Sequence, residues 1–550
     1  MRARGLAVVL AVAVLAGACT SDDGNGSEPT ATTTGASTDV VDGAPTPDDD
    51  DSTGAVPSFP DDDDPLPVDE AVLIGQLDNG VRYYVRANDR PGERVSARLA
   101  IDAGSTLEAD DQLGAAHYLE HMMFNGTESL PENELVRVLE RFGAEFGPDV
   151  NAFTSFDETV YSLTVPNDDE TIGTALDVLV EWASAATIAE QEVENERGVI
   201  VEEWRLRDQG YVARYLDAVV DRLLGGTAYA DRLPIGTIDS IRTLTAEELR
   251  RFYEDWYRPD LMTVVVVGDI DPPAMVAEIE ERFGPLQNPT DGPVRPVLTV
   301  PVPSEPTFVS LPDAEAPLTV IELNYPSSPL PLATVGDLRR ALAEQAGFLV
   351  LVERLEARAR SEGGGFFDAG PAANELGRAQ RAPGVGVLAE GGTLDVAAEA
   401  LLTEVERLVR FGVTDDELDR AVLQLLADVD QDLLESGTRQ DDALADLYVG
   451  HALDVALIAA PEDSHAIRTR ILDELDADTV DAFVTSAITT TEPLVIASGP
   501  LGAEVPDEDE LAAILERVRE ADVEPPSAGA GTATELVAPP VPGEIAERFV

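Results

Sequence analysis

Apolar and polar residues alternate over short runs near the start of the folded region, and this pattern predicts strands. The runs are 77–85, which contains the turn signal Asn79-Gly80, 95–102, 150–165 and the buried run 263–268. Longer stretches carry apolar residues at helical spacing and predict helices over 112–124, 131–142, most of 168–207, and 246–256. The mixture predicts an α+β fold for this part of the chain.

A second α+β unit is predicted after a proline-rich segment. Residues 286–306 contain six prolines, which indicate a linker between two lobes. The second unit carries predicted helices near 337–362, 394–410 and 415–435. A further helix runs over 507–520 and gives way to a Pro/Gly/Ala-rich tail that resembles a connector.

The beginning of the chain has the composition of an export signal followed by a spacer. A short basic head precedes the apolar run 6–18, which is too short to span a bilayer, and the run ends at Cys19. The stretch 15–19 resembles a bacterial lipobox, in which Cys19 would be lipidated and become the mature N-terminus; an ordinary signal peptide with an incidental cysteine is the alternative. No later run is long enough for a transmembrane helix.

These patterns divide the chain into six segments. They are a signal peptide with a lipobox-like end (1–19), a disordered acidic Ser/Thr/Pro linker (20–67), a first α+β unit (68–285), a Pro-rich linker (286–306), a second α+β unit (307–500), and a helix with a Pro/Gly-rich tail (501–550). We expect an exported, cell-envelope lipoprotein held at the outer face of a membrane by its lipid, or a secreted protein.

Charge excludes some classes of partner. The 550 residues carry 106 acidic and 37 basic side chains, a formal charge of −69, and every basic residue is arginine. Such a surface repels phosphate backbones and anionic membranes, so we expect no nucleic-acid partner and no membrane contact except through a lipid anchor. Solubility in a saline or acidic-proteome setting explains the charge, and selection for basic substrates is the alternative.

Two of the four histidines fall in one short motif, His117-Tyr118-Leu119-Glu120-His121. On a helix, positions i and i+4 share a face and i+3 lies beside them. His117 and His121 can therefore hold one divalent metal ion while Glu120 reaches a water bound to it. Zn²⁺ suits imidazole and carboxylate ligands, and we expect one ion per chain.

A catalytic zinc ion needs a third protein ligand, and a later helix offers one. Glu196 and Glu203 lie two turns apart on one face of an apolar helix, so that helix can present one carboxylate to the metal and a second nearby. Glu202 is a neighbouring candidate, although helical phase favours Glu203.

From about residue 73 to 500 the sequence resembles the pitrilysin/insulinase family of zinc peptidases, whose inverted motif is His-x-x-Glu-His. The resemblance implies zinc ligands at His117 and His121, a distal ligand at Glu203, a general base at Glu120 and an accessory acid at Glu196. It also implies the family's fold, in which two homologous lobes of mainly antiparallel sheet pack with helices, as in mitochondrial processing peptidase.

The same resemblance implies how peptide would bind and be cut. Asn151, Ala152, Phe153 and Thr154 match the family's active-site edge strand, to which an extended substrate adds as a further strand. Zinc would activate water, and Glu120 would take its proton and pass it to the leaving amine. The first unit would be catalytic, and the second, which lacks His-x-x-Glu-His, would be its non-catalytic repeat.

Family members with two such lobes form half of a clamshell, and the other half contributes an Arg and a Tyr. No convincing Arg/Tyr pair is found here, and no second half follows the tail. We expect a separate polypeptide to supply it as a heterodimer, or a homodimer. The alternative function is a non-catalytic or half-enzyme subunit, against which the intact set His117, Glu120, His121 and Glu203 argues.

Overall fold

The structure is a computed structural model that describes residues 59, 61–131, 134–141, 143–208, 210–360, 364–373, 377–453 and 456–526. The signal peptide, Cys19, most of the acidic linker and the tail beyond residue 526 lie outside the described residues. Within the described part, none of the helices combines the length and apolar character required to cross a bilayer.

The first lobe joins one sheet to a layer of helices. Its elements in chain order are β1 (Val72–Gln76), β2 (Arg82–Ala87), β3 (Arg94–Ile101), α1 (Ala115–Asn125), α2 (Glu134–Arg141), β4 (Val150–Thr154), β5 (Thr159–Pro166), α3 (Asp169–Ser184), α4 (Glu190–Asp208), α5 (Tyr211–Leu224), α6 (Ala228–Asp231), α7 (Ile238–Thr243), α8 (Ala246–Trp256), β6 (Met262–Gly268) and α9 (Pro272–Phe283).

The sheet of the first lobe has the strand order β1-β2-β6-β3-β5-β4. All pairs are antiparallel except β2 with β6, which is parallel. Every residue of β6 is buried because the strand lies in the middle of the sheet with both faces covered. The strand β4 lies at the edge, where one side of its backbone is open to a further strand.

The structure corrects two details predicted for this lobe. The run 150–165 is not one strand but a hairpin, because residues 155–158 reverse the chain between β4 and β5. The helix predicted over 112–124 begins at Ala115, because Gly114 has a φ of +87° that a helix does not accommodate.

The second lobe repeats the architecture of the first. Its elements are β7 (Thr307–Pro312), β8 (Val320–Asn324), α10 (Val335–Ala359), β9 (Phe366–Ala373), β10 (Pro383–Ala389), α11 (Leu394–Phe411), α12 (Asp415–Ser436), α13 (Asp441–Leu453), α14 (Pro461–Glu474), α15 (Ala477–Thr489), β11 (Leu494–Gly499) and α16 (Glu508–Glu520).

The two sheets have equivalent topologies. The second has the order β7-β11-β8-β10-β9, which reproduces β2-β6-β3-β5-β4 of the first strand by strand. The parallel pair β7 and β11 corresponds to the parallel pair β2 and β6. The prediction of an α+β protein built from two homologous lobes is therefore confirmed. The segment 286–306 between the lobes contains neither helix nor strand.

The predicted linker 20–67 is wrong in its last part, because residues 61–67 are docked on the second lobe. The carboxylates of Asp61 and Asp62 lie 3.0 and 3.1 Å from the guanidinium of Arg339, whose side chain is only 1% exposed. An arginine on a buried face of α10 needs counter-charges, and the acidic run supplies them.

The lobes interlock through exchanged helices. The helix α13 of the second lobe packs on β3 and β6 of the first, where Tyr448 joins an apolar cluster with Val265. In the opposite direction α5 of the first lobe packs on β7, and the hydroxyl of Tyr215 donates to the buried Glu322 at 2.7 Å. Each sheet thus has part of its surface covered by a helix of the other lobe.

Candidate metal centre and substrate cleft

The helix α1 carries His117, Glu120 and His121 toward one side. A buried carboxylate holds its first turn, since Glu108 accepts hydrogen bonds from the backbone N–H groups of Gly114 and Ala116, each at 2.9 Å. A carboxylate at this position satisfies orphan N–H groups and complements the helix dipole. The start of the helix is thereby fixed one turn ahead of the motif.

The helix α4 brings Glu203 between the two rings. Its Oε1 lies 3.4 Å from Nε2 of His117, and its Oε2 lies 3.3 Å from Nε2 of His121. One ligand atom from each of the three residues lies within 4.8 Å of the others, the spacing expected around a single metal ion. The predicted trio is thus brought together in space.

The chemistry of these donors fits a zinc ion. Two imidazoles and one carboxylate form a common ligand set for a catalytic zinc with an open position. Oε2 of Glu203 is buried without a hydrogen-bond partner, which is unfavourable for a carboxylate unless a cation binds it.

Glu196, the residue expected to be an accessory acid, lies on the far side of His121. Its Oε1 lies 2.9 Å from Nδ1 of His121, and its Oε2 accepts a hydrogen bond from Nδ2 of Asn125 at 2.8 Å. A carboxylate on Nδ1 fixes the ring orientation and turns Nε2 toward Glu203. Asn125 was missed from the sequence, although it lies four residues after His121 on the same helix face.

The carboxylates make this pocket favourable for positive charge. Burial acts to lower the pKa of His121, but its contacts with Glu196 and Glu203 outweigh burial and raise the pKa to about 10. Burial acts to raise the pKa of Glu203, yet its contacts with both histidines and with Arg207 hold it well below its usual value. Arg207, four residues after Glu203 and 2.7 Å from it, was also missed from the sequence.

Glu120 projects between α1 and the edge strand. The hydroxyl of Thr154, on β4, donates a hydrogen bond to Oε2 of Glu120 at 2.7 Å. The edge strand and the candidate base are therefore linked directly, a contact that the sequence alone did not predict.

The strand β4 presents backbone groups to the cleft. The N–H of Val150 donates to Glu145 rather than to β5, and Ala152, two residues along, points the same way. The N–H of Ala152 donates a hydrogen bond to Oδ1 of Asn151 at 2.9 Å. The backbone groups of Val150 are already paired with Glu145 and Gly147, so the outward N–H of Ala152, whose acceptor is a side chain, is the group that an added strand would use.

One cleft contains both the metal-binding trio and the edge strand. Its lining comprises His117, Glu120, His121, Phe124, Asn125, Phe146, Gly147, Val150, Asn151, Ala152, Phe153, Thr154, Glu196, Val199, Glu203 and Arg207. Every site residue predicted within the described chain lines it. The other two histidines lie elsewhere: His451 contacts the hydroxyl of Tyr84, and His465 pairs with Asp430.

Comparison with known families agrees with this geometry. Residues 83–234 match the insulinase domain of peptidase family M16, and residues 243–425 match the inactive domain of peptidase M16. The chain belongs to the insulinase family, M16.

Individual relatives point the same way. A probable zinc protease, PqqL of Escherichia coli, is 33% identical over 74% of this chain and 44% of the relative. A PQQL-like zinc protease of Arabidopsis thaliana is 32% identical over 74% of this chain and 40% of its own length. The chain thus spans less than half the length of these curated relatives.

A solved structure matches the whole two-lobed arrangement. The first half of the periplasmic protease PqqL from Escherichia coli superimposes with a TM-score of 0.78 and 28% identity, covering 84% of this chain and 99% of that one. Both lobes are therefore shared with a protein described as a protease.

Proposed function

We propose that this protein is a zinc-dependent endopeptidase. His117, His121 and Glu203 would hold the ion, and Glu120 would serve as general base. The observation that carries the proposal is the meeting of this trio, Glu120 and an open edge strand in one cleft. The similarity to zinc proteases supports it.

The residues around the cleft suit peptide hydrolysis. A bound zinc ion polarises the scissile carbonyl and lowers the pKa of water. Glu120 accepts a proton from the attacking water and returns it to the leaving amine, with its Oε2 oriented by Thr154. Glu196 holds the ring of His121.

The substrate class follows from the edge strand. Asn151, Ala152, Phe153 and Thr154 would bind an extended peptide or unfolded segment as an additional strand, through backbone hydrogen bonds that require no particular sequence. In this scheme 68–285 is the catalytic unit and 307–500 the non-catalytic one. The match of 243–425, which overlaps the second unit, to an inactive domain supports this division.

We further propose export and closure by a second half. The basic head, the apolar run and Cys19 support export with lipidation, and PqqL of Escherichia coli is described as periplasmic. A partner half, or a second copy, would cover the cleft. Light scattering with size-exclusion chromatography tests this last point: a stable, fully active monomer would refute both kinds of dimer.

The catalytic assignment is tested with Glu120→Gln, which keeps the shape of the side chain but removes its basicity. We expect zinc content to be unchanged and turnover of a fluorogenic peptide to fall about 10²–10⁴-fold. Glu202→Gln is the matched control, because Glu202 is exposed on α4 and pairs with Arg205 outside the cleft. Equal turnover by Glu120→Gln and wild type would reject Glu120 as the base.

The metal assignment has a separate readout. His117→Ala removes one of three ligands, so elemental analysis should show loss of bound zinc. Zinc retained at wild-type stoichiometry would overturn the ligand set, whatever the activity.

A further inference from the structure

The turn that follows the edge strand is held by the second lobe. Residues 155–158 connect β4 to β5, and Arg378 of the second lobe reaches them. Its Nη2 donates to the backbone oxygen of Asp157 at 2.9 Å, to Oε2 of Glu158 at 3.0 Å and to Oδ1 of Asp102 at 2.6 Å. Its Nη1 donates to the backbone oxygen of Leu453 at 2.8 Å, which fixes the guanidinium on its own lobe.

The contact extends to the backbone before Arg378. The N–H of Arg378 donates to Oδ2 of Asp157 at 2.8 Å, and the hydroxyl of Tyr229 donates to Oδ1 at 2.8 Å, so both carboxylate oxygens are occupied. Gly377 has a φ of +84°, and a Cβ there would lie 2.2 Å from Cε1 of Tyr229. Only glycine allows the second lobe to lie this close to Tyr229, whose hydroxyl holds Asp157 of the turn.

Arg378 lies among several carboxylates at the β4–β5 turn. Asp102, Asp157 and Glu158 bring three carboxylates to this point. Arg378 pairs with Asp102 and Glu158, and Arg295 lies 3.1 Å from Asp102. Without Arg378, the turn would carry like charges that repel each other and buried oxygens that lose donors.

The turn is continuous with the catalytic cleft. Thr154 immediately precedes it and donates to Glu120, while the backbone oxygens of Ser155 and Phe156 accept from Ser105 and Thr106. A shift of the turn would therefore change the position of β4 along the cleft.

We propose that Arg378 is a positioning residue through which the non-catalytic lobe holds the substrate-binding edge strand in register. The predicted change in kinetics rests on the proposed peptidase function, whereas the predicted change in hydrogen exchange does not. It gives the second lobe a specific role in peptide binding.

The test compares Arg378→Gln with Arg222→Gln. Arg222 also joins the two lobes, donating to Glu508 at 2.8 Å and to the backbone oxygen of Phe308 at 3.1 Å, without contacting the β4–β5 turn. Hydrogen exchange of the intact chain should show faster exchange across 150–159 in Arg378→Gln and no change there in Arg222→Gln. Equal exchange in both variants would overturn the proposal.

Kinetics supply the second readout. For an extended peptide we expect Arg378→Gln to raise KM about five- to tenfold with kcat within twofold, because β4 binds substrate less well in a loose register. A purely structural role would instead lower kcat through loss of folded enzyme at constant KM, and that result would reject the proposal.

A conservative variant covers the case in which Arg378→Gln does not fold. Arg378→Lys keeps the charge but loses the fork that serves several acceptors at once, so KM and exchange should fall between those of glutamine and wild type. Wild-type values for Arg378→Lys in both measurements would count against the proposal. If the wild-type enzyme cleaves no peptide, the proposed function fails while the exchange result still decides the role of Arg378.

Discussion

The buried carboxylates of this protein differ in their hydrogen-bond and ion-pair partners. These partners decide whether burial raises the pKa of the carboxyl group. In the cleft, the contacts of Glu196 and Glu203 outweigh burial and lower both pKa values. At the contact between lobes the opposite holds for Asp441. Its Oδ1 accepts from Asn88 at 2.7 Å, but its buried Oδ2 has no partner, and burial raises its pKa to about 6.

This difference predicts a pH-dependent effect of Asp441→Asn. In the unfolded chain the carboxyl ionises near its ordinary pKa of 3.8, whereas in the folded protein it ionises near 6. Between these values the unfolded state loses its proton first, so the charge destabilises the folded state increasingly from about pH 4 to 6 and fully above that. We expect Asp441→Asn to raise Tm by about 2–4 °C at pH 8.

The control for this prediction is the same pair of proteins at lower pH. The gain in Tm should shrink at pH 5, because the wild-type carboxyl is then largely protonated in the folded state. A gain that is equal at pH 5 and pH 8 would show that charge is not its cause.

At this scale the sequence predicted residues whose roles depend on spacing within one helix. His117, Glu120 and His121 could be placed on one helix face from the helical repeat. Glu196 and Glu203 could be placed together because they lie two turns apart on another helix. Contacts such as Thr154 with Glu120 join residues far apart in the chain, and no local pattern encodes them. Asn125 and Arg207 did have a signal, since each lies four residues from a site residue on its own helix.

The element on which the proposed substrate binding depends is β4. Its outward backbone groups alternate with those paired to β5, so the N–H of Ala152 faces the cleft and not the sheet. A change that removes this one donor while keeping the strand should separate peptide binding from the metal site.

Ala152→Pro makes that change, because proline has no N–H and is tolerated in an edge strand where that group faces outward. We expect kcat/KM for an extended peptide to fall at least about tenfold while zinc content stays at the wild-type level. Ala152→Ser is the matched control, since it keeps the N–H and a small side chain. Comparable activity of the proline and serine variants would contradict strand addition at this position.

Element boundaries are easiest to predict from sequence where Pro or Gly residues interrupt helices and strands. The Pro-rich residues 286–306 contain neither helix nor strand and lie between α9 and β7. The hairpin within 150–165 was missed because its turn contains neither Gly nor Pro; it is held instead by Arg378 and Tyr229. The docking of 61–67 was missed for a similar reason, since a run of aspartates has the composition of a disordered linker unless a buried arginine binds it.

At the scale of the whole molecule, arginines hold the parts together. Arg98 on β3 lies 3.0 Å from Asp446 of α13, Arg339 joins the acidic run to α10, and Arg378 joins the second lobe to the edge strand. A guanidinium satisfies several acceptors at once, which a lysine does not. In a chain with a formal charge of −69, these contacts also place cations among the carboxylates that would otherwise repel one another.

The exchanged helices predict that the two lobes unfold together. Separating them would expose Val265 on the first sheet and Leu494 on the second, both of which lie in clusters shared between lobes. The three tryptophans, Trp182, Trp204 and Trp256, all belong to the first lobe, so their fluorescence reports that lobe alone, whereas far-ultraviolet circular dichroism reports both.

The substitution Leu401→Ala, in the core of the second lobe, tests whether the two lobes unfold together. Truncation of a fully buried leucine costs about 2–5 kcal/mol, and in a cooperative molecule that loss is shared by both lobes. We expect the denaturant midpoint measured by fluorescence to fall with the midpoint measured by circular dichroism, and the two transitions to remain superimposable. A fluorescence midpoint that stays at its wild-type value while the dichroism transition splits would show that the first lobe is stable without its neighbour. The clusters shared between the lobes would then contribute little to its stability.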